Sequence, residues 1–448
     1  MTATRGRPAA QRPRPTWRGA GLAAAGALAL TGAALYGRVD LLVLGLVLLL
    51  LPLAAAIAVT VDRPWISVNR VFESDVVTAG ESARVAVTVR NEASRRTPSL
   101  RWRDACPPRL TASGLAPLPQ LEEHSRSSRD RSDSATVRYT VATSGRGVFE
   151  VGPLLLERTD PFGLVRCVYA AGSAKPLIVV PRIAELGDGE LDVSRSEGYE
   201  HELVKHSIPN ADELIARDYR PGDPMRRVHW RATARHGKLM VRQEEPRSNP
   251  EAWVLLDTDG GARLDHRHLH GHGASPAFET AVDLAASVGA HLIEQGYVLG
   301  VVESAPLQLQ GRAGTGRAGL AGLAASAYDP PGGANSLLIG LAGLEQRRRD
   351  KTDPAGVLGS ALRRNPQAVP TFAILVDGDR DELAALASLR TLCDPAVAFF
   401  VGRRPELREH FERRGWTCVD VAPGDTPGAA WQRAGIRSSI GSPAVRHA

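Results

Sequence analysis

The chain is poor in the residue groupings that announce chemistry. Its four cysteines, Cys106, Cys167, Cys393 and Cys418, are widely scattered, and no two form a C-x-x-C pair. That spacing argues against a zinc site and against a disulfide framework, and suits isolated thiols in a reducing compartment. No G-x-x-x-x-G-K-S/T phosphate loop is present. The glycine-rich stretch from Gly311 to Gly319 lacks the lysine and reads as a flexible loop. No serine or cysteine nucleophile has a histidine placed to serve it, and no complete metal site can be read along the chain. Residues 1–18 lack acids altogether, while carrying Arg5, Arg7, Arg12, Arg14 and Arg18.

What is present is enough chain, 448 residues, for more than one core. The formal charge of +6 leans basic, in part because of residues 1–18. That segment, broken by prolines, is expected to be a basic disordered tail. Residues 19–61 then read as two membrane spans. Gly19 to Tyr36 is uncharged and rich in alanine and glycine; Leu41 to Val61 is longer and more apolar. Five arginines precede the first span and Arg38 alone lies in the connector, so the positive-inside rule puts both ends in the cytoplasm. A cleaved signal peptide is the alternative for the first span. The expectation is a multi-pass plasma-membrane protein with both soluble domains cytoplasmic.

Residues 66–185 alternate with a period of two, most clearly over Ala83–Arg90 and Ser134–Val141, with further strands over Val148–Leu156 and Leu177–Val180. Short strands separated by Gly/Ser/Pro turns predict an Ig-like β-sandwich. The polar segment from Ala112 to Asp133 reads as a long loop. The turn Asp160-Pro161-Phe162-Gly163-Leu164 reads either as a binding loop or as a turn that tucks Phe162 into the core. Residues 251–436 alternate strand and helix, which predicts an α/β domain with a mostly parallel sheet. Helical runs are expected near 316–327, 334–347 and 354–364. Asp257 and Asp377 each follow a strand, where ligands of such sheets bind. Residues 437–448 read as a disordered tail. His266, His268, His270 and His272, with Asp265, could hold zinc or nickel, but they sit in a Gly-flanked segment that equally suits an adventitious cluster.

Residues 186–250 link the two domains and contain the most distinctive stretch, from Ala216 to Val241. Between Arg217 and Arg242 it holds eight Lys/Arg and only two acids, Asp218 and Asp223. Pro221-Gly222-Asp223-Pro224 forms a stiff reversal. On one continuous helix, positions 227, 231, 235 and 238 would share a face. Three readings stay open. Arginines and Tyr219 and Trp230 could bind nucleic acid, although Asp218, Asp223, Glu244 and Glu245 weaken the field. Trp230 and Tyr219 could be buried between domains while arginines pair with carboxylates. Arg217, Tyr219, Arg220, Gly222, Asp223, Arg226, Trp230 and Arg235 could also face a partner protein, since Arg, Tyr and Trp dominate interface hot spots. The favoured reading combines the last two, with no nucleic acid expected.

The string R-D-Y-R-P-G-D-P-M-R-R-V-H-W-R-A-T-A-R resembles the signature of domain of unknown function family 58, roughly R-x-Y-x-x-G-D-x-x-R-x-I-x-W-x-x-S/T-A-R. Val228 is a mild departure from it. The paired spans, R-G-V-F at Arg146 and D-P-F-G-L at Asp160 are also similar. The resemblance implies a von Willebrand factor A-like last domain. It further implies association with MoxR-type AAA+ ATPases, sometimes beside transglutaminase-like membrane proteins. Domains of that fold often hold Mg²⁺ through D-x-S-x-S, a hard oxygen set. Here Asp257-Thr258-Asp259-Gly260-Gly261 keeps the first aspartate but has Asp259 and Gly261 where serines are expected. Asp257, Asp259 and Asp377 are thus candidate ligands of a degenerate site; alternatively they cap strand and helix ends. The resulting expectation is a membrane-anchored, non-enzymatic scaffold or adaptor. It would work with a MoxR-type ATPase in assembling or remodelling envelope or metal-dependent complexes. The alternative is a hydrolytic or metal-dependent enzyme with its site at the carboxyl edge of the last sheet.

Overall fold

The computed structural model describes residues 4–6, 9–112, 114–124, 131–187, 216–218, 228, 230–242, 250–260, 275–309, 325–347, 353–376 and 380–435. The chain forms two compact units, residues 1–182 with 338–344, and residues 183–337 with 345–448.

In the first unit, helices α1 (Trp17–Tyr36) and α2 (Val39–Val61) are long and apolar enough to cross a membrane. At about 1.5 Å per residue each spans roughly 30 Å or more, the thickness of the hydrocarbon layer. α1 stops at Gly37, whose φ of 64° is left-handed and comes without strain to glycine. The helices approach closely where each carries glycine: a Cβ on Gly45 would lie 2.7 Å from Cγ of Leu30.

Where the prolines before α1 suggest a disordered tail, the described residues 4–6, 9–10 and 14–15 are strands. β1 (Thr4–Gly6) pairs antiparallel with β4 (Ile66–Phe72), while β2 (Ala9–Ala10) and β3 (Arg14–Pro15) pair with β13 (Val165–Ala171). Short edge strands tolerate proline because one side of the ladder needs no N–H. The remaining strands are β5 (Val76–Thr78), β6 (Ser82–Asn91), β7 (Leu100–Asp104), β8 (Leu110–Ala112), β9 (Ala116–Leu118), β10 (Ser134–Thr143), β11 (Gly147–Val151), β12 (Leu154–Thr159) and β14 (Lys175–Val180). They form sheets in the orders β1-β4-β6-β10-β8, β2-β13-β12-β7-β9 with β3 also on β13, and β11-β14-β5. One hydrophobic core takes residues from all three sheets, including Val87, Val141, Leu156, Tyr169 and Leu177. The alternation read in β6 holds, since Ala83, Val85, Val87 and Val89 are all buried.

Three expectations for this unit need correction. The run from Val148 to Leu156 is two strands, broken at Gly152 (φ 109°), where a Cβ would lie 2.6 Å from Arg70 Nη1. The loop expected over 112–133 contains β9, and its Leu118 and Leu121 are buried. Phe162 is not in the core: it is 65% exposed, and the apolar side chain of that turn that is buried is Leu164.

The two larger sheets are joined through a buried polar triad. Arg70 in β4 donates to both carboxylate oxygens of Asp104 in β7, at 3.0 and 2.5 Å, and to the Ser173 carbonyl at 2.8 Å. Tyr139 in β10 donates its hydroxyl to the same carboxylate. Burial and the Asp104 charge push the Tyr139 phenol well above its ordinary range, so it stays a donor. Residues 338–344 group with this unit, and buried Arg146 donates to the carbonyl oxygens of Leu341 (2.9 Å) and Leu344 (2.7 Å).

In the second unit the strand–helix alternation appears as expected. β17 (Glu251–Leu256), α4 (Pro276–Glu294), β18 (Val298–Glu303), β19 (Ser326–Tyr328), α5 (Gly333–Ala342, whose residues from 338 on group with the first unit) and α6 (Pro354–Leu362) come first. β20 (Val369–Leu375), α7 (Arg380–Leu386), β21 (Cys393–Val401), α8 (Pro405–Arg413), β22 (Thr417–Val421) and α9 (Pro427–Arg433) follow. The sheet order is β19-β18-β17-β20-β21-β22, parallel except for β19. The central strands are buried on both faces, as a parallel sheet between helices requires; all seven residues of β20 are buried, while the edge strand β22 exposes Thr417 and Asp420. Ser326–Tyr328 is a strand where a helix over 316–327 is expected. Residues 310–324, which hold the rest of that run and the glycine-rich stretch, lie outside the described residues.

Candidate functional site

The distinctive basic stretch folds as a two-stranded ribbon with a helix inserted. β15 (Ala216–Asp218) pairs antiparallel with β16 (Met240–Arg242), Arg217 opposite Val241. Between them runs α3 (Trp230–His236), a helix of seven residues. It is shorter than the continuous helix that would bring 227, 231, 235 and 238 to one face. Gly237 adopts φ 67° and its N–H returns to the Thr233 carbonyl, closing the helix before Lys238. The Thr233 hydroxyl accepts from Met240 N–H at 3.0 Å, tying the helix to β16.

Val228 and Met240 are buried, whereas Trp230 is 66% exposed. Trp230 is therefore not a core side chain of its own unit. Arg235 and Lys238 are also exposed. Arg217 lies in β15. Tyr219, Arg220, Gly222, Asp223 and Arg226 lie outside the described residues.

The second candidate region is the carboxyl edge of the parallel sheet. Chain order reverses between β17 and β20, and ligands of such sheets bind at that switch point. Asp257, the residue after β17, is fully buried there. Its Oδ1 accepts from the Ser304 hydroxyl (2.6 Å) and Asp259 N–H (3.2 Å), and its Oδ2 accepts from Val376 N–H (2.9 Å). One carboxylate thus knits together the ends of three strands. Ser304 is the second hub: its oxygen also accepts from the N–H groups of Thr258 (2.9 Å) and Asp259 (3.1 Å). Asp259 is buried and bridges to Arg347 through backbone bonds of its neighbours Thr258 and Gly260.

Glu303 is buried beside them and accepts from the N–H groups of Leu309 (2.8 Å) and Gln308 (3.0 Å). Burial raises its pKa; the two backbone donors and the Arg347 charge pull the other way without cancelling it. Ser304 and Glu303 were not singled out from the sequence. The signal was available: V-L-G-V-V-E-S is an apolar strand ending in two polar residues, the same pattern that marked Asp257.

Among the described residues, no three His, Cys, Asp or Glu side chains come together as a metal-binding group. Asp377 and His266, His268, His270 and His272 lie outside them. The Asp257 oxygens face N–H and O–H donors, which a cation would have to displace. That part of the edge fits a structural carboxylate rather than an open Mg²⁺ site.

Residues 215–352 match the family model described as "Protein of unknown function DUF58". The uncharacterized protein YeaD of Bacillus subtilis (strain 168) is 22% identical over 163 residues, 36% of this chain and 37% of that protein. The chain thus matches little more than a third of that relative's length. Among solved structures, a Paenibacillus cycloisomaltooligosaccharide glucanotransferase is 13% identical with a TM-score of 0.18, over 79% of this chain and 53% of that one. Cwp6 from Clostridium difficile is 11% identical with a TM-score of 0.13, over 81% and 55%. Scores that low carry no information about fold. The segment matched by the family model begins at the ribbon and runs through the first half of the parallel sheet.

Proposed function

We propose that the protein is a membrane-anchored, cytoplasmic scaffold or adaptor that docks a partner protein on the ribbon. The partner suggested by the family resemblance is a MoxR-type AAA+ ATPase, with transglutaminase-like membrane proteins as further neighbours. The observation that carries this reading is the exposure of Trp230 and Arg235 on a helix tied to β16 by the Thr233–Met240 hydrogen bond. An indole held in water on a fixed support contributes nothing to the core, and Trp and Arg are the residue types that dominate interface hot spots.

The sheet order, with its antiparallel third strand, supports a von Willebrand factor A-like last domain, and the two large antiparallel sheets of the first unit support an Ig-like sandwich. The enzyme alternative is less supported, because Asp257 would have to give up bonds that join three strands. An affinity pull-down from detergent-solubilised membranes tests the docking reading. Trp230→Ala with Arg235→Ala is expected to lose the ATPase, since two hot-spot truncations weaken binding by about tenfold or more each. Recovery of the same partners with both proteins would overturn it.

A further inference from the structure

The turn between β12 and β13 holds an exposed aromatic on a rigid frame. Asp160 is buried, and its carboxylate accepts from the N–H groups of Phe162 (2.9 Å) and Val165 (2.6 Å). Gly163 takes φ 70° and its N–H returns to the Asp160 carbonyl at 2.9 Å. The charge of Asp160 is thus directed into the turn, and Phe162 is held outward, 65% exposed.

This turn sits on the helical hairpin. The Thr16 hydroxyl donates to the Gly163 carbonyl at 2.6 Å, and Thr16 N–H donates to the Leu164 carbonyl at 2.8 Å. Contact with the first turn of α1 is so close that a Cβ on Gly19 would lie 2.2 Å from the Leu164 oxygen. Leu164 and Val165 pack with Ala55, Ala56 and Leu22. Leu22 and Ala55 lie five and six residues inside the ends of α1 and α2. At 1.5 Å per residue that is about 8 Å along the helices, within the depth at which interfacial segments bury their apolar faces.

The surroundings suit a bilayer boundary. Trp17 is 80% exposed with the Arg18 guanidinium 5.4 Å from its ring centre, and Arg18 also approaches Gly163. The acid at the end of α2, Asp62, is paired with Arg158 (3.0 Å) and with Arg95. Aromatic rings and arginines are the residues that settle at the headgroup level.

We propose that the Asp160–Leu164 turn is a third membrane contact: Phe162 enters the headgroup–acyl boundary of the leaflet beside the hairpin, with Arg18 facing lipid phosphates. The inference rests on α1 and α2 spanning the membrane. A hairpin alone leaves the β unit free to lean on its stalk, whereas a wedge to one side fixes its attitude to the bilayer.

The test places p-benzoylphenylalanine at Phe162, at Leu50 within α2, or at Val148, an exposed apolar side chain on β11. Each full-length protein is reconstituted into phosphatidylcholine/phosphatidylglycerol vesicles, irradiated, and weighed by mass spectrometry. Lipid adducts are expected at 162 and 50 and absent at 148. Lipid at 50 with none at 162, or equal labelling at 162 and 148, would overturn the wedge while leaving the spans intact. An adduct at 162 with a second protein instead of lipid would also overturn it. No lipid at 50 would overturn the spans and the wedge together.

Discussion

Glu303 shows at the scale of one residue how burial and hydrogen bonding compete. Its folded pKa is raised above the unfolded value, with desolvation the largest cause. An acid shifted in that direction contributes most to stability below the unfolded pKa, about 4.3, and this contribution is lost as pH rises through the folded value. Glu303→Gln removes the charge, and because Gln308 N–H and Leu309 N–H both reach Oε1, an amide oxygen keeps both bonds. Thermal unfolding at pH 8 is expected to show a higher midpoint for this variant, with the gain fading below about pH 4. An unchanged difference across that range would contradict the assignment. Asp257 was legible in the sequence because it ends an apolar strand. Its role as a staple was not, since its donors Ser304 and Val376 lie far along the chain and meet it only when three strands align.

Among elements, the join between the two large antiparallel sheets depends on Asp104. Side-chain exposure at Arg70 and Asp104 is 3% and 0%, so removing the carboxylate strands a guanidinium away from water. Asp104→Ala is expected to lower unfolding stability by about 3–5 kcal/mol, measured by denaturant titration of the detergent-solubilised chain. Asp104→Ala behaving like a surface substitution would show that Arg70 finds water. The alternation of β6 and β10 made those strands readable, because one face of each is buried. The break at Gly152 was not readable, since it answers to the guanidinium of Arg70, distant in sequence. The ribbon escaped a simple helical reading for a related reason: α3 ends where Gly237 turns left-handed and Thr233 captures Met240.

Across the whole molecule, pairing of β1 to β3 with β4 and β13 has a topological consequence. Residues before α1 and residues after α2 share one folded unit, so they lie on one side of any membrane that the hairpin crosses. Cysteines introduced at Arg12 and Val148, both exposed, are expected to resist an impermeant maleimide in intact cells, while one at Arg38 reacts. Labelling at 12 and 148 with protection at 38 would invert the cytoplasmic orientation. Labelling at 12 but not at 148 would contradict the hairpin itself.

The amino-acid sequence by itself determined the two apolar helices, the period-two strands and the strand–helix alternation, because each depends on spacing between near neighbours and on which face meets water. Tertiary structure alone decided that Phe162 and Trp230 stay exposed rather than in a core, that 4–6, 9–10 and 14–15 pair as strands, and that Asp257 is a bonded staple. Those outcomes depend on partners tens to hundreds of residues away, and local spacing carries no record of which partner a side chain will meet.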